Sequence, residues 1–186
     1  ITIVKTDDLA RKAVLPGTPA YSRIVSRFGN QVVANDGHLD RKRLRKVITQ
    51  DPDKKAVLEE IIHPEVFRLM AEAYEASRQQ GDDIVAVEVP LLFEVGMDGL
   101  FDDTLLVCAD RDIRIRRIMT RDQVTREQAE ALIGIQMPDE EKRKRAGYVI
   151  ENNGSVEKTR RAVDRFYETF YSKIRRTDLK DVDKGE

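Results

Sequence analysis

The sequence has 186 residues, 40% of them hydrophobic and 36% charged, which is the composition of a globular protein long enough to bury one core. Its 33 lysines and arginines are matched by 34 aspartates and glutamates, so it lacks the basic excess of proteins that bind nucleic-acid backbone. It contains no apolar run of about 18 residues, so we expect no membrane span.

The first part of the sequence predicts a strand followed by two helices. An apolar run indicates a buried strand over residues 1–4, and a helix is expected over residues 9–14 with Thr6 or Asp7 as its cap. A second helix is predicted to begin at Thr18-Pro19, which stand in the favoured N-cap and N1 order.

A helical region follows. Gly29 is expected to end the second helix, and residues 30–76 then carry apolar residues at helical spacing without a strand signal. We therefore expect a helical lobe inserted between two strands. Pro64 is expected to interrupt a helix of this lobe, because a proline has no N–H to donate to the helical ladder.

Strands and helices alternate in the rest of the chain. The first half of the apolar run over residues 84–93 predicts a fully buried strand, and further strands are expected over residues 104–109 and 148–150. Helices are predicted over residues 113–120, 125–137 and 156–174. This alternation predicts an α/β fold with a parallel sheet, whose ligands bind at the carboxyl ends of the strands.

Soft metal ligands and aromatic residues are scarce. Cys108 is the one cysteine, which excludes an internal disulfide and favours a reducing, cytoplasmic compartment. With only two histidines besides it, we do not expect a structural zinc site. Aromatic residues make up 6% and tryptophan is absent, which argues against a stacking platform for single strands.

Asp7 follows the first predicted strand, at the edge of the sheet where ligands bind. A carboxylate at this place can accept a proton from a substrate hydroxyl or help to hold a magnesium ion. The alternative is that Asp7 and Asp8 only cap the helix that follows.

Glu88 interrupts the most apolar predicted strand. Burying an unpaired carboxylate costs several kcal/mol, so its side chain is expected to face a polar site or a partner. One interpretation is an acid that reaches Mg²⁺ directly or through water. The other is a structural ion pair with a neighbouring arginine.

Cations crowd two stretches of this electrically balanced chain, residues 111–126 and residues 142–145. Arginine forks suit polyphosphate and can stabilise transition-state charge. The alternative is a solvated helix face neutralised by nearby aspartates. Arg117 and Arg121 lie one helical turn apart on one face, and they are our candidate pair.

A polar turn follows the last predicted strand. It can hold the edge of an adenine, or it can be a plain turn and helix cap; its residues are Asn152, Asn153, Gly154 and Ser155. His63 likewise has two interpretations, a ligand contact or a hydrogen bond to a backbone carbonyl inside the helical lobe.

Seven segments together resemble the bacterial dephospho-CoA kinase family. They are TDDLAR at 6–11, PGTPA at 16–20, DGHLDR at 36–41, IHP at 62–64, VPLLFE at 89–94, RD at 121–122 with QMP at 136–138, and YVIENNGS at 148–155. They occur in the family's order and cover nearly the whole chain. One such motif alone is weak, but the ordered set is specific.

The resemblance implies the fold of a P-loop kinase, with a parallel sheet flanked by helices, an inserted helical substrate lobe and a helical lid. It implies one kinase domain over residues 1–186. The core would take residues 1–29, 84–110 and 146–175, the lobe about 30–80 and the lid about 111–145. The implied reaction transfers the γ-phosphoryl group of ATP, with Mg²⁺, to the ribose 3′-hydroxyl of dephospho-CoA and gives coenzyme A.

The resemblance also assigns roles. Asp7 matches the general base, Arg117 and Arg121 fall among the charge-stabilising lid arginines, and Glu88 is a candidate for Mg²⁺. Adenine contacts are expected from Asn152, Asn153, Gly154 and Ser155. Substrate contacts are expected from Arg11, Arg41, His63, Pro90, Leu91 and Glu94. The implied partner is a small molecule, with no nucleic acid or membrane.

The sequence departs from the family pattern in two ways. It has no G-x-x-x-x-G-K-[ST], the phosphate-binding loop that the family carries ahead of the position where this sequence starts. We therefore expect a further N-terminal segment of roughly 25–30 residues, one strand–loop–helix unit at the centre of the sheet. Lys5 also stands where the family often has an acid. If that acid helps to position Mg²⁺, the lysine weakens the expected metal shell.

Two further hypotheses remain open at this point. A kinase of the same fold can act on another nucleotide or nucleoside, which the helical lobe would decide. A chain that naturally lacks the phosphate-binding loop would be an inactive paralogue that binds a CoA-like ligand or a protein.

Overall fold

A pair of short parallel strands opens the molecule. The computed structural model describes the backbone of residues 1–182 and the side chains of residues 1–175. β1 (Thr2–Lys5) and β2 (Val85–Glu88) pair in parallel along their whole length. The carboxyl ends of the two strands therefore lie side by side.

The chain between these strands is helical. The first compact unit, Ile1–Pro90, holds α1 (Thr6–Ala13), α2 (Pro19–Phe28), α3 (Arg41–Thr49) and α4 (Pro52–Gln79). α4 packs against each of the other three helices. The core of the unit is one apolar cluster, made of Ala20, Ile24, Phe28, Val32, Leu44, Leu58 and Ile61.

Local signals define α2 as predicted. The Thr18 side chain accepts a hydrogen bond from the N–H of Tyr21 over 3.1 Å, and Pro19 is the first residue of the helix. Gly29 follows the helix with φ of 79°, a conformation that favours glycine. Both ends of α2 are thus set by residues that neighbour it in sequence.

Pro64 does not interrupt a helix, and this prediction is wrong. α4 continues through it, although an internal proline costs a helix about 3 kcal/mol in isolation and leaves a carbonyl without its donor. Leu58 and Ile61, within the two turns before Pro64, are buried in the core, and three helices pack along α4. Tertiary packing therefore outweighs the local penalty.

The second compact unit, Leu91–Glu186, also contains a parallel strand pair. β3 (Leu105–Cys108) and β4 (Tyr148–Glu151) pair along their whole length. The helices of its described part are α5 (Arg111–Asp122), α6 (Arg126–Gly134), α7 (Asp139–Arg145) and α8 (Val156–Val182). α8 covers β4 through Tyr148, whose ring lies 5.1 Å from Phe166 and 5.5 Å from Phe170.

The predicted α/β fold is confirmed, with parallel strands flanked by helices. The four strands pair two by two, β1 with β2 and β3 with β4. Over residues 1–182, no helix is both long and apolar enough to cross a membrane.

Candidate active site

The carboxyl ends of β1 and β2 bring the two predicted acids to one edge. Lys5 lies opposite Glu88 in the strand register, and α1 begins at the very next residue, so Asp7 stands in its first turn. The Thr6 hydroxyl donates to the backbone carbonyl of Glu88 over 3.0 Å. This bond fixes the start of α1 to the end of β2, at the edge where parallel sheets bind ligands.

Asp7 is exposed, and among the described residues its carboxylate makes no hydrogen bond or ion pair. Its neighbour Asp8 pairs with Arg11 over 3.2 Å. The predicted cap by Thr6 or Asp7 is wrong, because Lys5 is the N-cap, no side chain caps the helix, and the helix begins at Thr6 rather than at residue 9. Asp7 is therefore available to a ligand.

Glu88 is not buried, and the fully buried strand predicted around it is wrong. β2 has four residues and ends at Glu88, so the side chain reaches solvent. The cation beside it is Lys5, whose Nζ lies 3.9 Å from Oε2, rather than an arginine. Within the described part of the chain, no group of three or more His, Cys, Asp or Glu side chains can hold a metal ion.

The remaining predicted residues of the first unit lie on helix surfaces or beside a strand. Arg41 begins α3, His63 lies on α4, and Pro90 follows β2; all three are exposed. His63 makes no hydrogen bond within the described residues, which removes the backbone-carbonyl interpretation. Arg11, on α1, already has Asp8 as its partner.

The carboxyl ends of β3 and β4 support the predicted adenine loop. Asp110 and Asn153 exchange two hydrogen bonds: the Asp110 N–H donates to Oδ1 of Asn153 over 2.7 Å, and Nδ2 of Asn153 donates to Oδ1 of Asp110 over 2.8 Å. The side chain of Asn153 is thus engaged by the protein. Asn153, Gly154 and Ser155 are exposed and Asn152 is half-buried, so the loop faces solvent mainly through its last three residues.

Of the two candidate arginines, Arg117 is the one that reaches this loop. Its Nη2 donates to Oδ1 of Asn152 over 3.4 Å, and the Thr159 hydroxyl donates to the same oxygen over 2.8 Å. Arg121 makes two hydrogen bonds to its neighbour Asp122, at 2.7 and 2.8 Å. These bonds raise the pKa of the Arg121 guanidinium and lower the pKa of the Asp122 carboxyl.

Glu94 faces inward, whereas Leu91 of the same motif is exposed. Glu94 Oε1 lies 2.7 Å from Lys142 Nζ and accepts the N–H of Met137 over 3.0 Å. Burial opposes ionisation of Glu94, but hydrogen bonds from Lys142 and from backbone N–H groups outweigh it and lower the pKa of the carboxyl. The contacts of Glu94 are those of a structural residue.

All four cations of residues 142–145 have partners on the protein. Besides Lys142 with Glu94, Arg143 pairs with Glu151 over 2.6 Å and Lys144 with Glu141 over 2.7 Å. Arg145 pairs with Asp98. Sequence reasoning missed these pairs, and two of the four, Lys142 with Glu94 and Arg145 with Asp98, join residues far apart in the chain.

The family model described as dephospho-CoA kinase matches residues 1–158. The chain belongs to the dephospho-CoA kinase family. Family members phosphorylate dephospho-CoA with ATP to give coenzyme A, so the chain is a kinase and a transferase.

Relatives of this kinase match it over most of its residues. The dephospho-CoA kinase of Listeria monocytogenes is 40% identical over 170 residues, which are 91% of this chain and 85% of the relative. The dephospho-CoA kinase of Syntrophotalea carbinolica is 40% identical over 158 residues, 85% and 75% of the two chains. The predicted family membership is therefore confirmed.

Two solved structures share the fold. TT1252 from Thermus thermophilus is 38% identical with a TM-score of 0.73, covering 90% of this chain and 84% of that one. The dephospho-CoA kinase of Campylobacter jejuni is 24% identical with a TM-score of 0.67, covering 91% and 85%. The second likeness concerns the fold alone.

The buried thiol of this kinase offers a direct test of the β3 end. Cys108 is 6% exposed, and burial together with the nearby Glu151 carboxylate raises the pKa of its thiol. We expect a disulfide reagent at about pH 8 to label Cys108 at least tenfold more slowly in the folded protein than in urea. Peptide mass mapping identifies the labelled residue, and equal rates in both states would contradict the buried placement.

Proposed function

We propose that this kinase transfers the γ-phosphoryl group of ATP to the ribose 3′-hydroxyl of dephospho-CoA, with Asp7 as the general base. The observation that carries this is the exposed, unpaired carboxylate of Asp7 at the carboxyl ends of β1 and β2. A bond forms between the 3′-oxygen and the γ-phosphorus while the bond from that phosphorus to ADP breaks. The hydroxyl proton passes to Asp7 and then to solvent.

In this proposal Arg117 stabilises the negative charge of the transferred phosphoryl group in the transition state. It is exposed and already adjoins the Asn152 side chain, so a small movement of its guanidinium suffices to exchange that weak bond for phosphate. Arg121 would first have to leave Asp122, with which it makes two short hydrogen bonds. Arg117 is therefore the first candidate for stabilising the transition state, and Arg121 the second.

Glu88 fits a magnesium ion bound mainly by ATP. Mg²⁺ in kinases takes one or two carboxylates, with phosphate oxygens and water completing its shell, so a single exposed carboxylate at this edge meets the requirement. When bound, the ion would neutralise charge on the phosphates. Lys5, 3.9 Å from Glu88, competes for the same carboxylate and weakens this site.

Substrate contacts complete the proposal. Dephospho-CoA would be held by exposed residues of the first unit, Arg11, Arg41, His63 and Pro90, and by Leu91. The adenine of ATP would meet the loop of residues 152–155 through its backbone, Gly154 and Ser155. Residues of about 30–80 would act as the substrate lobe and about 111–145 as the lid. The reaction would take place in the cytoplasm, without nucleic acid or membrane.

A comparison of acceptors tests this function. The natural gene product, with ATP and Mg²⁺, is assayed for ADP release with dephospho-CoA, AMP and adenosine as acceptors. We expect kcat/KM for dephospho-CoA to exceed the other two by about 10²-fold or more, because a site that pairs an acceptor's polar groups rejects analogues that lack them. NMR of the product shows the position of the new phosphate. Equal turnover of AMP or adenosine, or a phosphate elsewhere than the 3′-oxygen, would refute the assignment.

A further inference from the structure

The segment from Leu91 to Leu100 has an inverted surface pattern. Three of its large apolar side chains point outward, with Leu91 43%, Val95 52% and Leu100 63% exposed, whereas Phe93 is buried. Its carboxylates point inward, since the side chains of Glu94 and Asp98 are only 17% and 22% exposed. Ordinary protein surfaces show the reverse, so this segment, called the 91–100 segment below, is arranged to present apolar side chains.

Two cations of α7 hold the 91–100 segment in this orientation. Lys142, whose side chain is 8% exposed, lies 2.7 Å from Glu94. Arg145 makes two hydrogen bonds to Asp98 and donates through Nη1 to the carbonyl of Phe93 over 2.9 Å. Its guanidinium also lies over the Phe93 ring, 5.4 Å from the centroid. The segment is therefore fixed at its middle and near its end by one short helix.

α7 is itself fixed at two further points. Asp139, at its start, forms an ion pair with Arg114 of α5 over 3.0 Å, and Arg143 pairs with Glu151 at the end of β4 over 2.6 Å. The position of the 91–100 segment is thus set by α5, α7 and β4 rather than by its own short 3-10 turn (Asp98–Leu100). Binding groups presented from such a supported frame lose little conformational freedom when they meet a ligand.

We propose that Arg145 and Lys142 are positioning residues for dephospho-CoA: they contact no substrate, but they orient the 91–100 segment so that its apolar side chains meet the substrate's aliphatic portion. This inference rests on the proposed function, because it takes dephospho-CoA as the acceptor. The inference gives the cations of residues 142–145 a role in the affinity for the acceptor, whereas their composition alone suggested that they bind phosphate.

Arg145 and Asp98 give the sharper test, because their pair is partly exposed and its loss leaves the core intact. In the natural gene product, Arg145→Gln and Asp98→Asn are each expected to raise KM for dephospho-CoA about tenfold, with kcat and KM for ATP changed less than about twofold. The double variant is expected to be no worse than Arg145→Gln alone, since that variant has already lost the contact with Asp98. Arg145→Lys, which retains the charge, is expected to recover part of the affinity.

Lys144→Gln is the matched control. It removes the same charge from the same helix, but its partner Glu141 also lies on α7, so KM for dephospho-CoA is expected to stay at the wild-type value. Unchanged KM in both Arg145→Gln and Asp98→Asn would overturn the inference. So would a joint change of kcat and both KM values that follows a lower urea midpoint, because that is the signature of general destabilisation. Failure of the wild type to phosphorylate dephospho-CoA would instead refute the proposed function. If Arg145→Gln does not fold, the KM of Asp98→Asn for dephospho-CoA tests the inference in its place.

Discussion

Replacing Asp7 by asparagine is expected to lower kcat for dephospho-CoA by about 10³-fold while leaving the Kd for ATP within about twofold of the wild type. Asparagine keeps the size and a hydrogen-bonding oxygen of aspartate but cannot take up the hydroxyl proton. The carboxylate has no partner among the described residues, so its removal breaks no structural contact. Single-turnover kinetics with saturating ATP, together with calorimetric ATP binding, separate the two effects.

Asp8→Asn provides the matched control, since it makes the same chemical change one residue further along α1. Asp8 is paired with Arg11 on the helix surface, and kcat is expected to stay within about threefold of the wild type. Turnover by Asp7→Asn at the wild-type rate would show that another group accepts the proton. Equal losses in both variants would point to the first turn of α1 as a whole rather than to one carboxylate.

Replacing Lys142 by methionine is expected to lower the free energy of unfolding by about 3 kcal/mol, because it leaves the inward-facing Glu94 carboxylate without its counter-charge. Glu94 already has one oxygen, Oε2, buried without a hydrogen-bond partner, so little remains to compensate. Urea unfolding followed by circular dichroism measures the change. Lys144→Met, which removes an exposed cation of the same helix, is expected to change the free energy of unfolding by less than about 0.5 kcal/mol.

A double variant and a pH series identify the cause. Lys142→Met with Glu94→Leu removes both charges and is expected to regain most of the lost stability. Because the pKa of Glu94 is lowered in the folded state, its contribution is complete above the unfolded pKa and is lost as the pH falls through the folded value. The wild type should therefore lose stability relative to the double variant between neutral pH and about pH 3. A Lys142→Met variant as stable as the wild type would contradict the pair's role.

Elements whose signals lie within a few residues could be predicted from the sequence. Thr18-Pro19 and Gly29 set the ends of α2 through contacts to their own neighbours, and the apolar runs marked the strands. Pro64 failed as a helix breaker because α4 is held by packing against helices distant in sequence, which spacing does not show. The fully buried strand predicted around Glu88 was wrong because β2 is short and ends at that residue, and strand ends are poorly defined by composition.

The residues of the candidate site likewise differ in whether their placement could be predicted from the sequence. The placement of Asp7 could be predicted because it depends only on following a strand. The choice between Arg117 and Arg121 could not, because it depends on whether Asp122 or Asn152 lies nearer in space. The inward turn of Glu94 likewise depends on Lys142, which the chain brings back only after β3, α5 and α6. Long-range ion pairs such as Lys142 with Glu94 are set by tertiary structure, since each cation of this charged chain has many carboxylates to choose from in sequence.

The direct passage from β1 into α1 has a consequence for how this enzyme can evolve. No loop separates Lys5, the last residue of β1, from Thr6, the first residue of α1. The direction in which the Asp7 side chain points is therefore set by how many residues separate it from the end of the strand. One inserted residue would turn the helix face by about 100° and carry the carboxylate away from the strand ends. With Asp7 as the base proposed above, insertions and deletions at this junction would be barred even where most side-chain replacements are tolerated, and chain length there would become a catalytic constraint in its own right.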